Sequence, residues 1–305
     1  MRIIHSLSEL EKLHLKNPVI TWGIFDGVHK GHRKIINTAV SQAQKTGSSL
    51  VILTFDTHPE GIVNAAGPLM LNSLHHRLKL LSEFPVDICA VLPFTKAFAA
   101  VTARKFAEDW LIKRIGVKGI VLGENTTFGR DKSGNLKMLS ALCRQYVIRL
   151  IVCKNCIYKT MPISSTRIRA AVLGGKLDEA AKMLGKKYSL LGRVIHGAGM
   201  GKKLGFPTAN IEPFNEAIPP DGVYGVRVRL GNNNCKGLLS IGTRPTFTDS
   251  KNKGRTVEIY IHNFSHNIYG KEIEAEFMSY IRKQRKFAST GALIRQIKRD
   301  ADSVW

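Results

Sequence analysis

The first half of the chain alternates short apolar runs with amphipathic stretches. Val19–Phe25 reads as a buried strand. His32–Lys45 reads as a helix, with Ile35, Ile36, Ala39, Val40 and Ala43 on one stripe and Gly47 as a stop. Strand Leu50–Phe55, helix His75–Phe84, strand Asp87–Leu92, helix Thr102–Ile115 and strand Gly119–Leu122 follow, then a further helix and the strand Val147–Cys153. Such alternation predicts a mostly parallel sheet covered on both faces, with ligands beyond the carboxyl ends of the strands. After about Lys186 the rhythm changes. Short alternating segments at Val223–Leu230, Cys235–Ile241, Thr256–Phe264 and Lys271–Ile281, separated by glycine, asparagine and proline, have the texture of a small antiparallel barrel or sandwich. A last helix after Ser289 carries Leu293, Ile294, Ile297 and Ala301 on one face. The change of rhythm places domains at 1–185 and 186–305, and no internal repeat is present.

At 305 residues the chain is long enough for two cores, and 44% hydrophobic with 23% charged residues is ordinary globular composition. No apolar run approaches the roughly 18–20 residues needed to span a bilayer. The amino terminus, MRIIHSLSELEKLHLKN, lacks the apolar core of a signal peptide. A cytoplasmic protein without a membrane partner is expected. The five cysteines do not suggest a disulfide framework; Cys153 and Cys156 form a C-x-x-C with no second pair, which reads as incidental thiols. The net charge of +23 is spread evenly, with 26 basic and 13 acidic residues before Lys186 and 20 and 10 from there on. It suits phosphate-rich substrates or polyanions and alone decides nothing. A nucleic-acid-binding protein would cluster aromatic and basic residues in one segment, and no segment does.

The first strand runs into GIFDGVHKGH, Gly23–His32, and then into a helix. Glycines there let backbone approach a phosphate, and a helix amino terminus offers free N–H groups. His29 and His32 flank Gly31, where imidazoles can donate to phosphate oxygens as charge develops. The plainer alternative is a glycine-rich turn with two solvated histidines. Later, ISSTRIR (Ile163–Arg169) precedes another helical stretch. Ser165 or Thr166 can cap that helix, and Arg169 can neutralise a triphosphate.

Together these stretches resemble the nucleotidyltransferase superfamily with its H-x-G-H and S-S-T-x-x-R hallmarks. With TFDTHP (Thr54–Pro59), LPFTKAFA (Leu92–Ala99) and GENTTFG (Gly123–Gly129), they look like the FMN adenylyltransferase module of bacterial FAD synthetases. The resemblance implies a Rossmann-like α/β domain in which the FMN phosphate attacks the α-phosphorus of ATP and pyrophosphate leaves. It places Gly23, Phe25, Asp26, His29, Gly31, His32, Ser165, Thr166 and Arg169 at the nucleotide and its phosphates, and Asn125 near the metal and nucleotide. Two departures stand out. Thr126 sits where the family usually has phenylalanine, removing an aromatic surface near the flavin, and Thr57 sits where proline is common.

The second candidate site opens with GRVIHGAGMGKKLGFPTANI, Gly192–Ile211. Gly197, Gly199 and Gly201 make a loop that can close on phosphates, with Lys202 and Lys203 supplying charge. Phe206–Pro207 fix a bend that presents Thr208 and Asn210 on one side of an extended chain. A hydroxyl and an amide carbonyl suit magnesium held jointly with ATP. DGVYGVRV, SIGTRPTF, TVEIYIHNF, IYGK and IRKQRKF follow in order, and the set from about Tyr188 to Trp305 closely resembles the riboflavin kinase domain. That resemblance implies a small β-barrel with a carboxyl-terminal helix. Glu258 matches its catalytic base, and Gly205, Pro207 and Arg282 join the glycines and Lys202 in binding ATP or flavin. Lys202, Asn263, Ser240 and Gln284 replace a frequent arginine, aspartate, asparagine and glutamate. The reading is therefore a bifunctional enzyme on riboflavin, FMN, FAD and ATP, with Mg2+ accompanying ATP and no permanently bound organic cofactor. Its nearest alternative is a chain in which only the kinase works. A homo-oligomer is left open.

Overall fold

The computed structural model describes residues 1–63, 67–196, 206–231, 233–243, 255–264, 266–285 and 287–304. Gly197, Gly199, Gly201, Lys202 and Gly205 lie outside the described residues. The chain forms two compact units, Met1–Leu69 with Leu74–Ser165, and Met70–Ser73 with Thr166–Trp305.

In the first unit, strands β2 (Val19–Trp22), β3 (Leu50–Phe55) and β4 (Ile88–Leu92) are buried at every position, as a parallel sheet covered on both faces requires. With β1 (Arg2–Ile4), β5 (Gly119–Gly123) and β6 (Arg149–Cys153) they form a six-stranded sheet in the order β1-β4-β3-β2-β5-β6, every pairing parallel. Alternate strand residues feed two apolar layers. Ile20, Trp22, Leu53 and Ile120 join Phe106, Leu139 and Leu142 on one face. Val19, Ile52, Cys89 and Val121 join Ile36, Ala39 and Leu81 on the other. From β2 the chain steps outward to β3 and β4, then crosses back to add β5 beside β2. The carboxyl end of β2 is thus a topological switch point, where open α/β sheets bind ligands.

Local departures from the periodicity have identifiable causes. Strand β2 stops at Trp22 because Phe25, Gly27 and Val28 all take positive φ (53°, 82° and 40°) in the turn that follows. Helix α2 (Lys30–Thr46) starts two residues before the expected His32, since His29 caps it. The segment Lys105–Arg114, expected as an α-helix, is a π-helix, with the Ile115 amide reaching the Trp110 carbonyl at 3.1 Å. Its wider turn goes with the packing of both Phe106 and Trp110 on Phe98, ring centroids 6.2 and 5.6 Å away.

After β6, the two-residue strands β7 (Ile157–Tyr158) and β8 (Met161–Pro162) pair antiparallel. The second unit holds a closed antiparallel barrel: β9 (Ser189–Ile195), β10 (Thr208–Pro213), β11 (Gly222–Leu230), β12 (Asn233–Thr243), β13 (Arg255–Ile261) and β14 (Glu272–Arg282), in the order β10-β13-β12-β11-β14-β9. The preceding helices α7 (Ser165–Leu173) and α8 (Leu177–Leu184) begin this half, and the carboxyl-terminal helix (Thr290–Asp302) is capped by Ser289, whose hydroxyl accepts the Ala292 amide at 3.3 Å. The segment Met70–Ser73 clusters with the barrel because its backbone is used there. The Leu71 carbonyl accepts the Asn215 amide at 2.6 Å and the Tyr188 hydroxyl at 3.0 Å, in a buried polar cluster.

Candidate active sites

The turn after β2 builds the first site. The His29 ring folds over the start of α2, where its Nδ1 accepts the backbone amide of His32 at 3.3 Å. An accepting Nδ1 leaves the proton of the neutral ring on Nε2, so the free nitrogen is the donor. The two imidazoles stack with centroids 3.6 Å apart, and His32 meets the edge of Phe25 at 5.2 Å. Burial pushes His29 down to about 4, and holds His32 well below its ordinary value with help from the charges of His29 and Arg77. Both rings are therefore neutral donors at pH 7, next to the free N–H groups of a helix amino terminus.

The surrounding expected residues are placed as follows. Gly23 and Phe25 line a cavity of about 360 Å3 that also contains His32. Asp26 is buried, and its carbonyl accepts the Ser165 hydroxyl at 2.9 Å, tying Ser165 to the histidine loop. Thr166 and Arg169 follow Ser165 one turn apart on α7, Thr166 exposed and Arg169 half-buried. Asn125 is exposed in the turn after β5, which the Thr126 amide closes onto the Gly123 carbonyl at 3.1 Å.

The cavity accounts for Thr126, and a local hydrogen bond accounts for Thr57. The cavity walls include Trp22, Phe25, Phe55, Phe94, Phe98, Phe106 and Phe128 as well as Thr126. The aromatic surface that Thr126 lacks is supplied by its neighbours. The N–H of Thr57, which a proline would not have, donates to Asp56 Oδ1 at 2.6 Å; that oxygen also accepts the Phe94 amide at 3.0 Å. Lys132 lines the same cavity and carried no motif that would have singled it out.

The second site lies on the outer face of the barrel. In β13, Val257, Ile259 and Ile261 are buried at 5% exposure or less, and the alternate residues Glu258 and Tyr260 face outward. Register then sets a row across the sheet. Asn210 pairs with Glu258, Glu258 with Ser240, Ser240 with Val223, and Val223 with Arg282. Thr208, opposite Tyr260, stands on the same face of β10 as Asn210. Thr208, Ser240, Glu258, Tyr260 and Arg282 line a cavity of about 360 Å3 roofed by Leu293, Ile297 and Asp300 of the last helix. Phe206, beside the exposed Pro207, meets Tyr260 with centroids 5.3 Å apart.

The guanidinium of Arg282 grips the buried Asp300 carboxylate twice, Nε at 3.0–3.1 Å and Nη2 at 2.7 Å, and lies over the Phe287 ring. Gln284 donates to the Ser240 hydroxyl at 2.9 Å, so two residues that depart from the family pattern are partners. Sequence reasoning missed Asp300, because an aspartate in a helix carries no motif of its own; Phe287 closes the IRKQRKF segment but was not singled out as a site residue. A second cavity of about 460 Å3 opens on the other side of Thr208, between Pro207, Ile261, Phe264 and Tyr269.

The FAD synthetase family model matches residues 11–167, and the riboflavin kinase family model residues 184–304. The bifunctional riboflavin kinase/FMN adenylyltransferase of Buchnera aphidicola subsp. Schizaphis graminum is 33% identical over 307 residues, covering 100% of this chain and 98% of the relative. That of Escherichia coli strain K12 is 32% identical over 302 residues, covering 98% and 96%. A crystal structure from Streptococcus pneumoniae, described as a macrolide-efflux protein, has a TM-score of 0.85 at 30% identity, covering 100% of this chain and 99% of that one. Among the described residues of the present chain, no helix is long and apolar enough to cross a membrane. With both catalytic modules present in one chain, each with a formed cavity, the chain belongs to the bifunctional riboflavin kinase/FMN adenylyltransferase family, which phosphorylates riboflavin to FMN and adenylylates FMN to FAD.

Proposed function

We propose that the two reactions run at separate sites, adenylyl transfer within residues 1–185 and phosphorylation within residues 186–305, with the following division of labour. At the first site His29 and His32 are the phosphate donors. Neutral N–H groups that are already oriented stabilise charge developing on the α-phosphate and the departing pyrophosphate without reorganising. Gly23, Phe25, Asp26 and Gly31 shape the nucleotide loop, Ser165, Thr166 and Arg169 take the remaining phosphate charge, and Asn125 borders the nucleotide. The FMN phosphate is already an anion and needs no base. The aromatic cavity receives its isoalloxazine ring.

At the second site Glu258 is the base that takes the proton from the primary hydroxyl of riboflavin as it attacks the γ-phosphorus of ATP. Thr208 and Asn210 fit a magnesium ion brought with ATP, being hard, neutral oxygen donors on one face of one strand. When bound, the ion neutralises phosphate charge. Pro207 and the glycines Gly197, Gly199, Gly201 and Gly205, with Lys202, belong to the ATP- and flavin-binding residues in this reading. Arg282 borders the flavin cavity. Riboflavin, FMN, FAD and ATP are the partners; a cytoplasmic setting is part of the reading, and all five cysteines are free thiols.

One observation carries the kinase assignment: Glu258 and Ser240, paired across strands, line a roofed cavity together with Thr208, and Asn210 is the register partner of Glu258. The test is a pair of variants assayed by chromatography of riboflavin, FMN and FAD. Glu258→Gln is expected to abolish FMN formation and leave FMN-to-FAD conversion intact, and His32→Ala to do the reverse. If either substitution stopped both reactions in folded protein, the assignment of separate sites would be wrong.

A further inference from the structure

Arg77, on helix α4 (Leu74–Leu81), is 1% exposed and belongs to no motif of the sequence. A guanidinium carries five N–H donors and remains charged in proteins. Here Nη2 donates to the Phe55 carbonyl at the end of β3, while Nε and Nη1 have no hydrogen-bond partner. A buried cation with unmade hydrogen bonds is costly, and such costs persist where function holds them in place.

The surroundings of Arg77 indicate what it serves. Its charge acts on Asp26 in the histidine loop, Asp56 after β3, Cys89 in β4 and His32 in α2. Cys89 does not compete for a proton near neutrality, because burial pushes its thiol up to about 12. Arg77 does not line the aromatic cavity, but His32 and Phe55 do, and both are its neighbours. The Nδ1 atom of His32 is itself buried without a partner, so burial chiefly keeps the ring neutral, and the charges of His29 and Arg77 add to it in the same direction.

Resting on the phosphate-donor reading of His29 and His32, we propose that Arg77 is a positioning residue for adenylyl transfer, a buried cation beneath the H-x-G-H loop that fixes the hydrogen-bonding state of the two histidines and holds the end of β3. A proton arriving on His32 would bring a like charge toward Arg77 and, with His29 charged, set two cations face to face 3.6 Å apart. The stack, and with it the cap of α2, survives only while the rings are neutral. Arg77 extends that neutral range toward acid pH. Around His32 the opposing influences are His29 on the same helix start and Arg77 from α4, with Asp26 and Asp56 partly offsetting the guanidinium.

The experiment uses the full chain in three forms, wild type, Arg77→Met and Arg77→Lys, with two readouts. One is the rate of FMN-to-FAD conversion from pH 5 to 9; the other is the histidine 15N NMR titration. Riboflavin phosphorylation in the same samples monitors the kinase half. In Arg77→Met the titration midpoint of His32 and the acid limb of FAD formation should both move up by about one pH unit, making FAD formation roughly tenfold slower on that limb. Arg77→Lys, which keeps the charge, should return both toward wild type. An Arg77→Met enzyme that is slower but has an unmoved acid limb would overturn the proposal, leaving Arg77 a packing residue. So would a wild-type His32 that titrates near its ordinary value of about 6.5, a result that needs no variant to fold. The reading beneath it fails separately, if His32→Ala makes FAD at the wild-type rate.

Discussion

Gly31 lies directly under the His29 imidazole: a Cβ at this position would sit 3.1 Å from Cε1 and 3.2 Å from Nδ1 of the ring. The glycine of H-x-G-H is therefore required by the fold of the histidine over the helix start, and not by backbone freedom, since no positive φ occurs there. Gly31→Ala should push the ring off the His32 amide. Loss of one preorganised donor typically costs 10²–10³ in rate, so a displaced one should lower FMN-to-FAD conversion by at least about tenfold. Thermal stability should change little, because the gain of roughly 1 kcal/mol in helix propensity offsets a weakened His29 cap worth about 0.5–2 kcal/mol. A slow but stable variant confirms a catalytic constraint; an unstable one would make Gly31 a folding residue.

His29 also makes stability depend on pH. Its folded value of about 4 lies below the unfolded value of 6.5, so between those limits the unfolded chain binds more protons. Its contribution is fully present above about 6.5 and is lost as pH falls toward 4, with His32 acting in the same direction. The loss is on the order of 3 kcal/mol for His29 alone. His29→Asn keeps a side chain that caps helices well and removes the titration. Melting curves of the variant should fall less between pH 6.5 and 4 than those of wild type. Parallel curves would show that other groups dominate the acid response.

Much of this site could be read in advance, and the missing part has a physical pattern. The strand–loop–helix order and the H-x-G-H spacing were visible because both depend on residues close in sequence. The same holds for the alternation that turns Glu258 outward from Val257, Ile259 and Ile261. Strand β9 was not read as a strand, and β10 only as an extended chain at Thr208 and Asn210, because the glycine-rich run between them breaks the period on which such a reading depends. The row from Asn210 to Arg282 was invisible for a different reason: it is made by register across strands far apart in the chain. Arg77 and Asp300 are one step further removed, since each is defined only by the groups it is buried against.

Thr126 illustrates how a sequence departure changes meaning in three dimensions. Its loss of an aromatic surface raised doubt about flavin binding, yet Phe55, Phe94, Phe98, Phe106 and Phe128 already surround the cavity that it borders. Restoring the common residue should therefore take up room in the cavity that the flavin ring needs. Thr126→Phe is expected to raise the KM for FMN in FAD formation while riboflavin phosphorylation is unchanged. A lower KM would show that the cavity is underfilled.

The ion pair between Arg282 and Asp300 ties the last helix over the cavity proposed to take the flavin. Asp300 is 3% exposed, and Gln296 adds a second bond to its Oδ1 at 2.7 Å. Removing one partner of such a pair leaves the other poorly solvated, at a cost of about 2–4 kcal/mol when one side is partly open. Asp300→Ala should loosen the helix and raise the KM for riboflavin, with FMN-to-FAD conversion as an internal control. Steady-state kinetics on both substrates will decide; an unchanged KM would mean that the roof is not part of the flavin site.

The barrel unit also depends on a piece of chain from far upstream. Asn215 is 2% exposed, donates to the carbonyls of Leu71 at 2.6 Å and Ser189 at 3.2 Å, and accepts the Leu191 amide at 3.0 Å. The Met70 amide donates to Glu216 Oε2 at 2.8 Å, and the Met70 carbonyl accepts the amides of Glu216 and Ala217 at 3.2 and 3.0 Å. Asn215→Leu preserves size but leaves the Leu191 amide buried without its partner. At about 1–3 kcal/mol for each orphaned group, the unit should lose about 2–4 kcal/mol, and its melting midpoint roughly 5–15 °C. Calorimetry on the full chain, following the transition that abolishes riboflavin phosphorylation, measures this directly. A midpoint unchanged by Asn215→Leu would mean that residues 70–73 merely touch the barrel. A fall of the expected size would mean that a kinase fragment starting at residue 186 lacks part of its own core.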